Sequence, residues 1–109
     1  MLNAIRNVFS KSYEDLNGSD FKRKYEESRG VLVDVRTAGE VAAGTIPDSL
    51  HIDLMSPDFA AKINQLDRSK SYFPFCRSGN RSGKVCEYMT SQGFKAYNLA
   101  GGIGEWPEA

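Results

Sequence analysis

The 109-residue sequence contains very little histidine and cysteine: one histidine, His51, and two cysteines, Cys76 and Cys86. These side chains are too few for the Cys/His clusters that bind structural zinc, and two cysteines are too few for a disulfide scaffold. We therefore expect neither a metal nor another cofactor, and a fold that is held together by a hydrophobic core.

Long apolar stretches and an excess of one charge are also absent. No segment reaches the length of a membrane span, and residues 1–10 lack the apolar run of a signal peptide. Fourteen Lys and Arg residues balance fourteen Asp and Glu residues, so the formal net charge is zero. This balance argues against nucleic acids and membranes as partners. The sequence therefore favours a cytoplasmic protein, whose thiols stay reduced.

The composition that remains is typical of one globular domain. Hydrophobic residues make up 40% of the chain and charged residues 26%, which separates it from disordered proteins. We expect residues 13–109 to form the domain and residues 1–12 to be an N-terminal extension. Within that extension, Leu2, Ile5 and Phe9 would share one face of a short helix.

Short apolar strands alternate with amphipathic helices along the domain. The predicted strands are residues 31–35, 50–52, 71–75 and 95–99, and the predicted helices are residues 21–28, 37–43, 58–66 and 81–92, with a last short helix that begins after Gly101-Gly102. Ser19-Asp20 and Thr37 are the expected N-caps of the first two helices. Gly30 and Gly44 are their expected ends. This alternation predicts a parallel sheet with helices on both faces, and ligands bind to such sheets at the carboxyl ends of the strands.

The most informative segment follows the predicted strand 71–75. Its residues are Cys76, Arg77, Ser78, Gly79, Asn80, Arg81, Ser82 and Gly83. A cysteine at this place lies among loop N–H groups and at the positive end of the next helix, and two arginines add full charge. Such surroundings lower a cysteine pKa from about 8.5 to roughly 3.5–7.5, and the same N–H groups bind anions. We therefore expect Cys76 to be a catalytic thiolate and residues 77–82 to form its substrate-binding loop.

Five further side chains invite a role, and we expect each of them to be supporting. Asp34 and Arg36 end a strand near the loop and are expected to hold its charges by ion pairing. Arg36 and Glu40 have the i,i+4 spacing of a helical ion pair. His51 is well separated in sequence from Cys76, which favours a structural histidine over a catalytic base. Cys86 lies on the apolar face of its predicted helix, which favours a core residue over a resolving thiol.

Several motifs occur together in an order and spacing that resembles one known family. They are Val33-Asp34-Val35-Arg36, Glu40, Gly44-Thr45-Ile46-Pro47, Cys76 to Ser82, Gly93-Phe94, Leu99-Ala100-Gly101-Gly102 and Trp106. Over residues 13–106 the chain resembles a single-domain rhodanese. The resemblance implies a five-stranded parallel sheet with helices on both faces, and a catalytic cysteine, here Cys76, that carries a sulfane sulfur as a persulfide. Trp106 would then be a packing residue beside the site.

The chain departs from the usual pattern of this family at three places. Thr45 stands where the family usually has histidine, and Asp48-Ser49 replaces Gly-Ala. Pro74 lies within the predicted strand before the cysteine, where a proline removes a ladder hydrogen bond. None of these departures lies in the loop 76–82.

Three function classes follow from the loop and the resemblance. The first is a sulfurtransferase that moves sulfane sulfur from thiosulfate or a persulfide to cyanide or a thiol, with a sulfur-relay protein as a further partner. The second is a small cysteine-based phosphatase or arsenate reductase. In this chain Arg81 follows Cys76 by five positions. Those enzymes have one more residue between the cysteine and the arginine, so loop length favours sulfur. The third is a non-enzymatic sensor or interaction module, which usually lacks the cysteine that is present here.

Overall fold

The computed structural model describes residues 12–107. The predicted N-terminal helix around Leu2, Ile5 and Phe9 lies outside the described residues. The strands are β1 (Glu14–Leu16), β2 (Val31–Asp34), β3 (Leu50–His51), β4 (Ser71–Phe75) and β5 (Lys95–Leu99). The α-helices are α1 (Gly18–Ser28), α2 (Ala38–Ala42), α3 (Phe59–Asn64) and α4 (Asn80–Ser91), and a 3-10 helix (Ile103–Glu105) ends just before Trp106. Within residues 12–107 no helix has the length and apolar character that a membrane crossing requires.

The five strands form one parallel sheet in the order β1-β5-β4-β2-β3. At one side Leu16 of β1 lies opposite Leu99 of β5, and at the centre Asp34 of β2 lies opposite Phe75 of β4. The predicted fold class is therefore confirmed. Because β4 is the middle strand, the segment that follows Phe75 leaves the sheet at the centre of its carboxyl edge.

Strand β1 is the element that the apolar pattern does not predict. Two of its three residues are acidic, and both Glu14 and Asp15 are exposed. An edge strand bonds to only one neighbour and needs no buried run, so the usual signal is missing. Its pairing with β5 nevertheless brings Asp15 opposite Asn98.

Side chains alternate between the two faces of the sheet, and each face is covered by helices. On one face Val33, Val35 and Tyr72 pack against α4. On the other face Phe73 packs edge-to-face on Phe21 of α1, with ring centroids 5.3 Å apart. The sheet is therefore buried from both sides, as the predicted architecture requires.

The helix ends follow the sequence signals with small differences. The N-cap of α1 is Asn17, whose side chain accepts from the Asp20 N–H at 2.9 Å, so the predicted cap at Ser19-Asp20 is wrong by two residues. Asn is as good a cap as Ser or Asp, which is why this segment is ambiguous. At the other end the left-handed residue is Arg29 rather than Gly30. The N-cap of α2 at Thr37 is confirmed and forms a capping box with Glu40.

Pro74 is accommodated because β4 and β5 separate before it. The pairing of β4 with β5 comprises Ser71 and Tyr72, whereas the pairing with β2 continues to Phe75. The missing N–H of Pro74 thus falls where β4 has left one of its neighbours.

Candidate active site

Cys76 lies between the end of β4 and the start of α4, at the middle of the carboxyl edge of the sheet. Its side chain is buried. The Sγ atom accepts from the N–H of Gly79 at 3.1 Å and from the N–H of Ser82 at 3.4 Å. The hydroxyl of Ser82 also lies 3.3 Å from Sγ. The loop therefore bends around the sulfur atom and directs donors at it.

The pKa values of the two cysteine thiols are shifted in opposite directions. Burial acts to raise the pKa of Cys76, but hydrogen bonds from Ser82 and from the N–H groups of Ser78 and Gly79 outweigh it, so that the pKa is lowered. Burial raises the pKa of Cys86 well above its usual range, because no such donors surround it. Cys76 is thus the thiol that ionises readily.

Two glycines allow the loop to come this close to the neighbouring backbone. Gly79 has φ 93°, and a Cβ there would overlap the carbonyl oxygen of Ala100. Gly102 has φ 86°, and a Cβ there would overlap the carbonyl of Arg77. L-residues rarely adopt this conformation and have no room here. The segment after β5 is therefore packed directly on the cysteine loop.

The cationic side chains of the loop differ in their surroundings. Arg81 is half-buried and forms two hydrogen bonds to the carboxylate of Glu40, at 2.8 and 2.9 Å. Arg77 is exposed, and no residue within 12–107 forms a salt bridge with it. Ser78 and Asn80 are also exposed. Arg81 thus fixes the start of α4 to α2, and Arg77 is the loop cation that is available to a ligand.

The predicted ion pair between Arg36 and Glu40 does not form. The guanidinium of Arg36 instead binds the carboxylate of Asp34 at 2.9 and 2.8 Å and the carbonyl oxygen of Gly44 at 2.7 Å. Asp34 also accepts from the N–H of Arg36, which makes this nearby carboxylate the better partner. Glu40 is engaged by Thr37 in the capping box and by Arg81.

Asp34 and Arg36 form a buried pair below the loop. Burial acts to raise the pKa of Asp34, but hydrogen bonds from Arg36 and from the hydroxyl of Thr45 outweigh it and lower the pKa. The Thr45 hydroxyl donates to Asp34 at 2.7 Å. Thr45, one of the departures from the family pattern, thus helps to hold a charged carboxylate inside the fold. Arg36 in turn anchors the turn at Gly44.

His51 and Cys86 occupy the structural positions that the sequence indicates. His51 is exposed, and its Nε2 donates to the carbonyl oxygen of Arg36 at 2.8 Å. Cys86 is a free, buried cysteine in the apolar layer between α4 and the sheet. Neither side chain is among the hydrogen-bond partners of Cys76 Sγ, which are Gly79 and Ser82.

Sequence reasoning missed one polar residue at the site. Asn98 is buried in β5, donates to the carbonyl oxygen of Gly79 at 3.1 Å and lies 2.6 Å from the Ser82 hydroxyl. The sequence signal for Asn98 is one polar side chain in the otherwise apolar end of a strand, three residues before Gly101-Gly102. A buried amide needs several hydrogen-bond partners, so such a residue points to a polar cluster.

Comparison with known proteins agrees with this fold. The chain matches the Rhodanese-like domain family over residues 17–109. It is 40% identical over 94 residues to YtwF of Bacillus subtilis, covering 85% of this chain and 89% of that protein. It is also 40% identical over 82 residues to the thiosulfate sulfurtransferase GlpE of Pseudomonas savastanoi pv. phaseolicola, covering 73% and 74%.

A solved structure supports the same assignment. The rhodanese-like domain protein from Staphylococcus aureus superposes with a TM-score of 0.74 at 33% identity, covering 87% of this chain and 92% of that one. Both the sequence match and the superposition extend over most of the described residues. The chain therefore belongs to the rhodanese-like domain family.

Proposed function

We propose that this protein is a sulfurtransferase that carries sulfane sulfur as a persulfide on Cys76. The observation that carries the proposal is the convergence of the Gly79 and Ser82 N–H groups on Sγ, at 3.1 and 3.4 Å. Backbone donors in this arrangement stabilise a negatively charged sulfur without having to reorganise. Relatives that are named as sulfurtransferases, such as GlpE, are consistent with this chemistry.

The reaction consists of two displacements at sulfur. The Cys76 thiolate attacks the outer sulfur of thiosulfate, a new S–S bond forms to Sγ, and the old S–S bond breaks, so that sulfite leaves with the electron pair. A thiolate or cyanide then attacks the terminal sulfur of the persulfide, and the Cys76 thiolate leaves. The acceptor ends as a persulfide or as thiocyanate, and the enzyme returns to its starting state.

The burial of Cys76 favours donors with a protruding sulfur. Its side chain is fully buried, so an incoming atom must enter the ring of loop donors. Thiosulfate and persulfides carry such an atom at the end of a single bond. We accordingly propose a small-molecule donor and a thiol acceptor, with a sulfur-relay protein as a further source of persulfide. The two free cysteines fit a cytoplasmic setting.

The structure favours sulfur transfer over phosphate chemistry. A tetrahedral phosphate needs a wider cradle than one sulfur atom. The loop backbone packs against the segment after β5, with Gly79 against Ala100 and Arg77 against Gly102, and this contact leaves little room for the loop to widen. The lowered pKa of Cys76 equally argues for catalysis over a purely non-enzymatic module, which needs no activated thiol.

A direct test compares turnover of thiosulfate, a low-molecular-weight persulfide and an aryl phosphate by the same preparation. We expect turnover of one or both sulfur donors and none of the phosphate. Intact-mass measurement after incubation with donor should show the addition of one sulfur atom.

The matched control is Cys76→Ser, which keeps the shape of the side chain. It should fold normally, lose sulfur transfer and take up no sulfur. Hydrolysis of the aryl phosphate by the unmodified protein, or persistent sulfur transfer by clean Cys76→Ser, would contradict the proposal.

A further inference from the structure

A chain of polar side chains runs from the edge of the sheet to the candidate catalytic sulfur. Asn98 of β5 donates from Nδ2 to Oδ1 of Asp15 on β1, at 2.9 Å, and to the carbonyl oxygen of Gly79, at 3.1 Å. Its Oδ1 lies 2.6 Å from the hydroxyl oxygen of Ser82. That hydroxyl oxygen lies 3.3 Å from Sγ of Cys76.

The orientation of the Asn98 amide is fixed by its partners. A carboxylate oxygen of Asp15 and the carbonyl oxygen of Gly79 can only accept hydrogen bonds, so both must face the NH₂ group. The amide oxygen of Asn98 therefore points at Ser82 and needs a donor. Asn98 is 4% exposed, so water is a poor substitute for that donor.

Ser82 has one hydroxyl proton and two neighbours that can accept it. The amide oxygen of Asn98 is 2.6 Å from the hydroxyl oxygen, a normal distance for a strong O–H···O bond, and Sγ of Cys76 is 3.3 Å away. If the proton points to Asn98, the lone pairs of Ser82 point to the sulfur. The thiol S–H can then donate to Ser82, whereas a thiolate receives hydrogen bonds from the backbone alone.

We propose that Asn98 is a positioning residue that holds the hydroxyl proton of Ser82 and so turns the lone pairs of Ser82 toward Cys76. This inference rests on the proposed function in that it assigns Cys76 as the reacting group. Two contributions to the stability of the Cys76 thiolate then oppose each other. The backbone N–H groups stabilise the thiolate, and Asn98 withholds one more donor from it. Because the nucleophilicity of a thiolate falls as its pKa falls, a thiolate that receives one hydrogen bond fewer is the stronger nucleophile once it has formed.

Other charged groups near the sulfur do not depend on this arrangement. Within the described residues, Arg81 and Cys86 of α4 interact with Cys76 electrostatically, Asp34 and Glu40 act on Arg81, and Asp15 acts on Cys86. These groups are present in every variant considered below, so their direct contributions cancel in a comparison.

The test is a pH titration of the Cys76 thiolate by its ultraviolet absorbance, corrected with the same titration of Cys76→Ser. Ser82→Ala removes the hydroxyl with little change of volume and should leave the pKa of Cys76 unchanged or slightly lower. Asn98→Leu frees the Ser82 proton for the thiolate and should lower the pKa by about one pH unit. In the double variant Ser82→Ala/Asn98→Leu, the lowering relative to Ser82→Ala should disappear.

Each outcome decides the proposal. A rise of about one pH unit in Ser82→Ala would show that Ser82 donates to the thiolate and would overturn the inference. An equal shift for Asn98→Leu with and without Ser82 would do the same, because the effect would then bypass the hydroxyl. If Asn98→Leu does not fold, Ser82→Ala still decides. Ser91→Ala, at the far end of α4, is the matched control and should leave the pKa unchanged.

The experiment separates this inference from the proposed function. The titration is carried out without any sulfur donor, so it reports the hydrogen bonding of Cys76 even in a protein that transfers no sulfur. Failure of the sulfur-transfer assay with the expected titration would overturn the proposed function alone.

Discussion

At the scale of single residues, the molecule shows how the same side chain acquires opposite properties from its neighbours. Cys76 and Cys86 are both fully buried. Peptide N–H groups surround the first and apolar side chains surround the second. A buried thiol is therefore activated by converging donors, and burial alone makes it inert.

The core position of Cys86 yields a first prediction. Cys86→Ala removes a small buried side chain and should lower the free energy of unfolding by about 1 kcal/mol. Sulfur transfer should remain close to that of the unmodified protein. Urea unfolding and a thiosulfate assay on the same preparation measure both. A loss of turnover as complete as in Cys76→Ser, with unchanged folding, would reveal a resolving thiol.

The exposure of Arg77 yields a second prediction. Thiosulfate is an anion that must approach a thiolate, and a molecule of zero net charge offers no long-range attraction. Arg77→Ala should therefore raise KM for thiosulfate about fivefold, which corresponds to about 1 kcal/mol, with a smaller change in kcat. The difference should shrink at high salt.

Lys84→Ala is the matched control for the Arg77 experiment. Lys84 is an exposed cation of α4 outside the loop, so its removal changes the net charge equally. We expect its KM to stay near that of the unmodified protein. Equal KM values for Arg77→Ala and the unmodified protein at low salt would assign anion binding to the backbone alone.

At the scale of elements, one ion pair joins the helix that follows the cysteine loop to a helix that follows β2. The pKa of Glu40 is lowered to about 2, first by the hydrogen bonds from Arg81 and then by the N–H of Thr37. A carboxyl group with a lowered pKa in the folded state stabilises the fold above its ordinary value of 4.5. That contribution is lost as pH falls through the range between 4.5 and about 2.

The third prediction tests this link. Glu40→Gln should be less stable than the unmodified protein at neutral pH, and the difference should narrow as pH falls from 4.5 toward about 2. Denaturant unfolding at a series of pH values measures it. Glu87→Gln, which alters an exposed carboxylate on α4, should show no such narrowing. A difference between Glu40→Gln and the unmodified protein that is independent of pH would contradict the role of the charged pair.

Elements with their own local signal could be predicted from the sequence, and elements defined by a distant partner could not. The run Val31-Leu32-Val33 is β-branched and apolar, and it forms β2. Thr37 and Glu40 have the spacing of a capping box, and they form one. Strand β1 is exposed and acidic and exists because it pairs with β5, some eighty residues later.

The same distinction holds within the candidate site. The glycines, the arginines and the cysteine of the loop are close together in sequence, so their chemistry could be inferred together. Asn98 contacts Ser82 and Asp15 only because β5 lies between β1 and β4. The partner of Glu40 was mispredicted for a similar reason, since helical spacing cannot show that Arg81 approaches Glu40 from another helix.

At the scale of the whole molecule, the last described residues close one face of the sheet. Trp106 packs edge-to-face on Phe21 and Tyr25 of α1, with centroid distances of 6.2 and 6.0 Å. Lys22 lies over its ring at 5.5 Å. The end of the domain is thereby joined to its first helix, which confirms a packing role for Trp106.

The fourth prediction concerns this closure. Trp106 is half-buried, so Trp106→Ala should cost about 2 kcal/mol, less than the roughly 3–5 kcal/mol of a fully buried tryptophan. The midpoint of urea unfolding should fall while the transition stays cooperative. Leu50→Ala, at a 39% exposed position of β3, should have a much smaller effect. Equal stabilities for Trp106→Ala and the unmodified protein would show that α1 does not depend on this contact.

The contact of the cysteine loop with the backbone below it also restricts how this domain can evolve. A longer loop that encloses a phosphate would have to occupy the space now taken by Ala100 and by the backbone next to Gly102. We therefore expect a residue inserted between Cys76 and Arg81 to disturb the packing of the segment after β5, and with it Asn98, which reaches the site from that strand. We therefore expect a change of loop length in this family to be accompanied by changes in the segment after β5, which lies about twenty residues later in the gene.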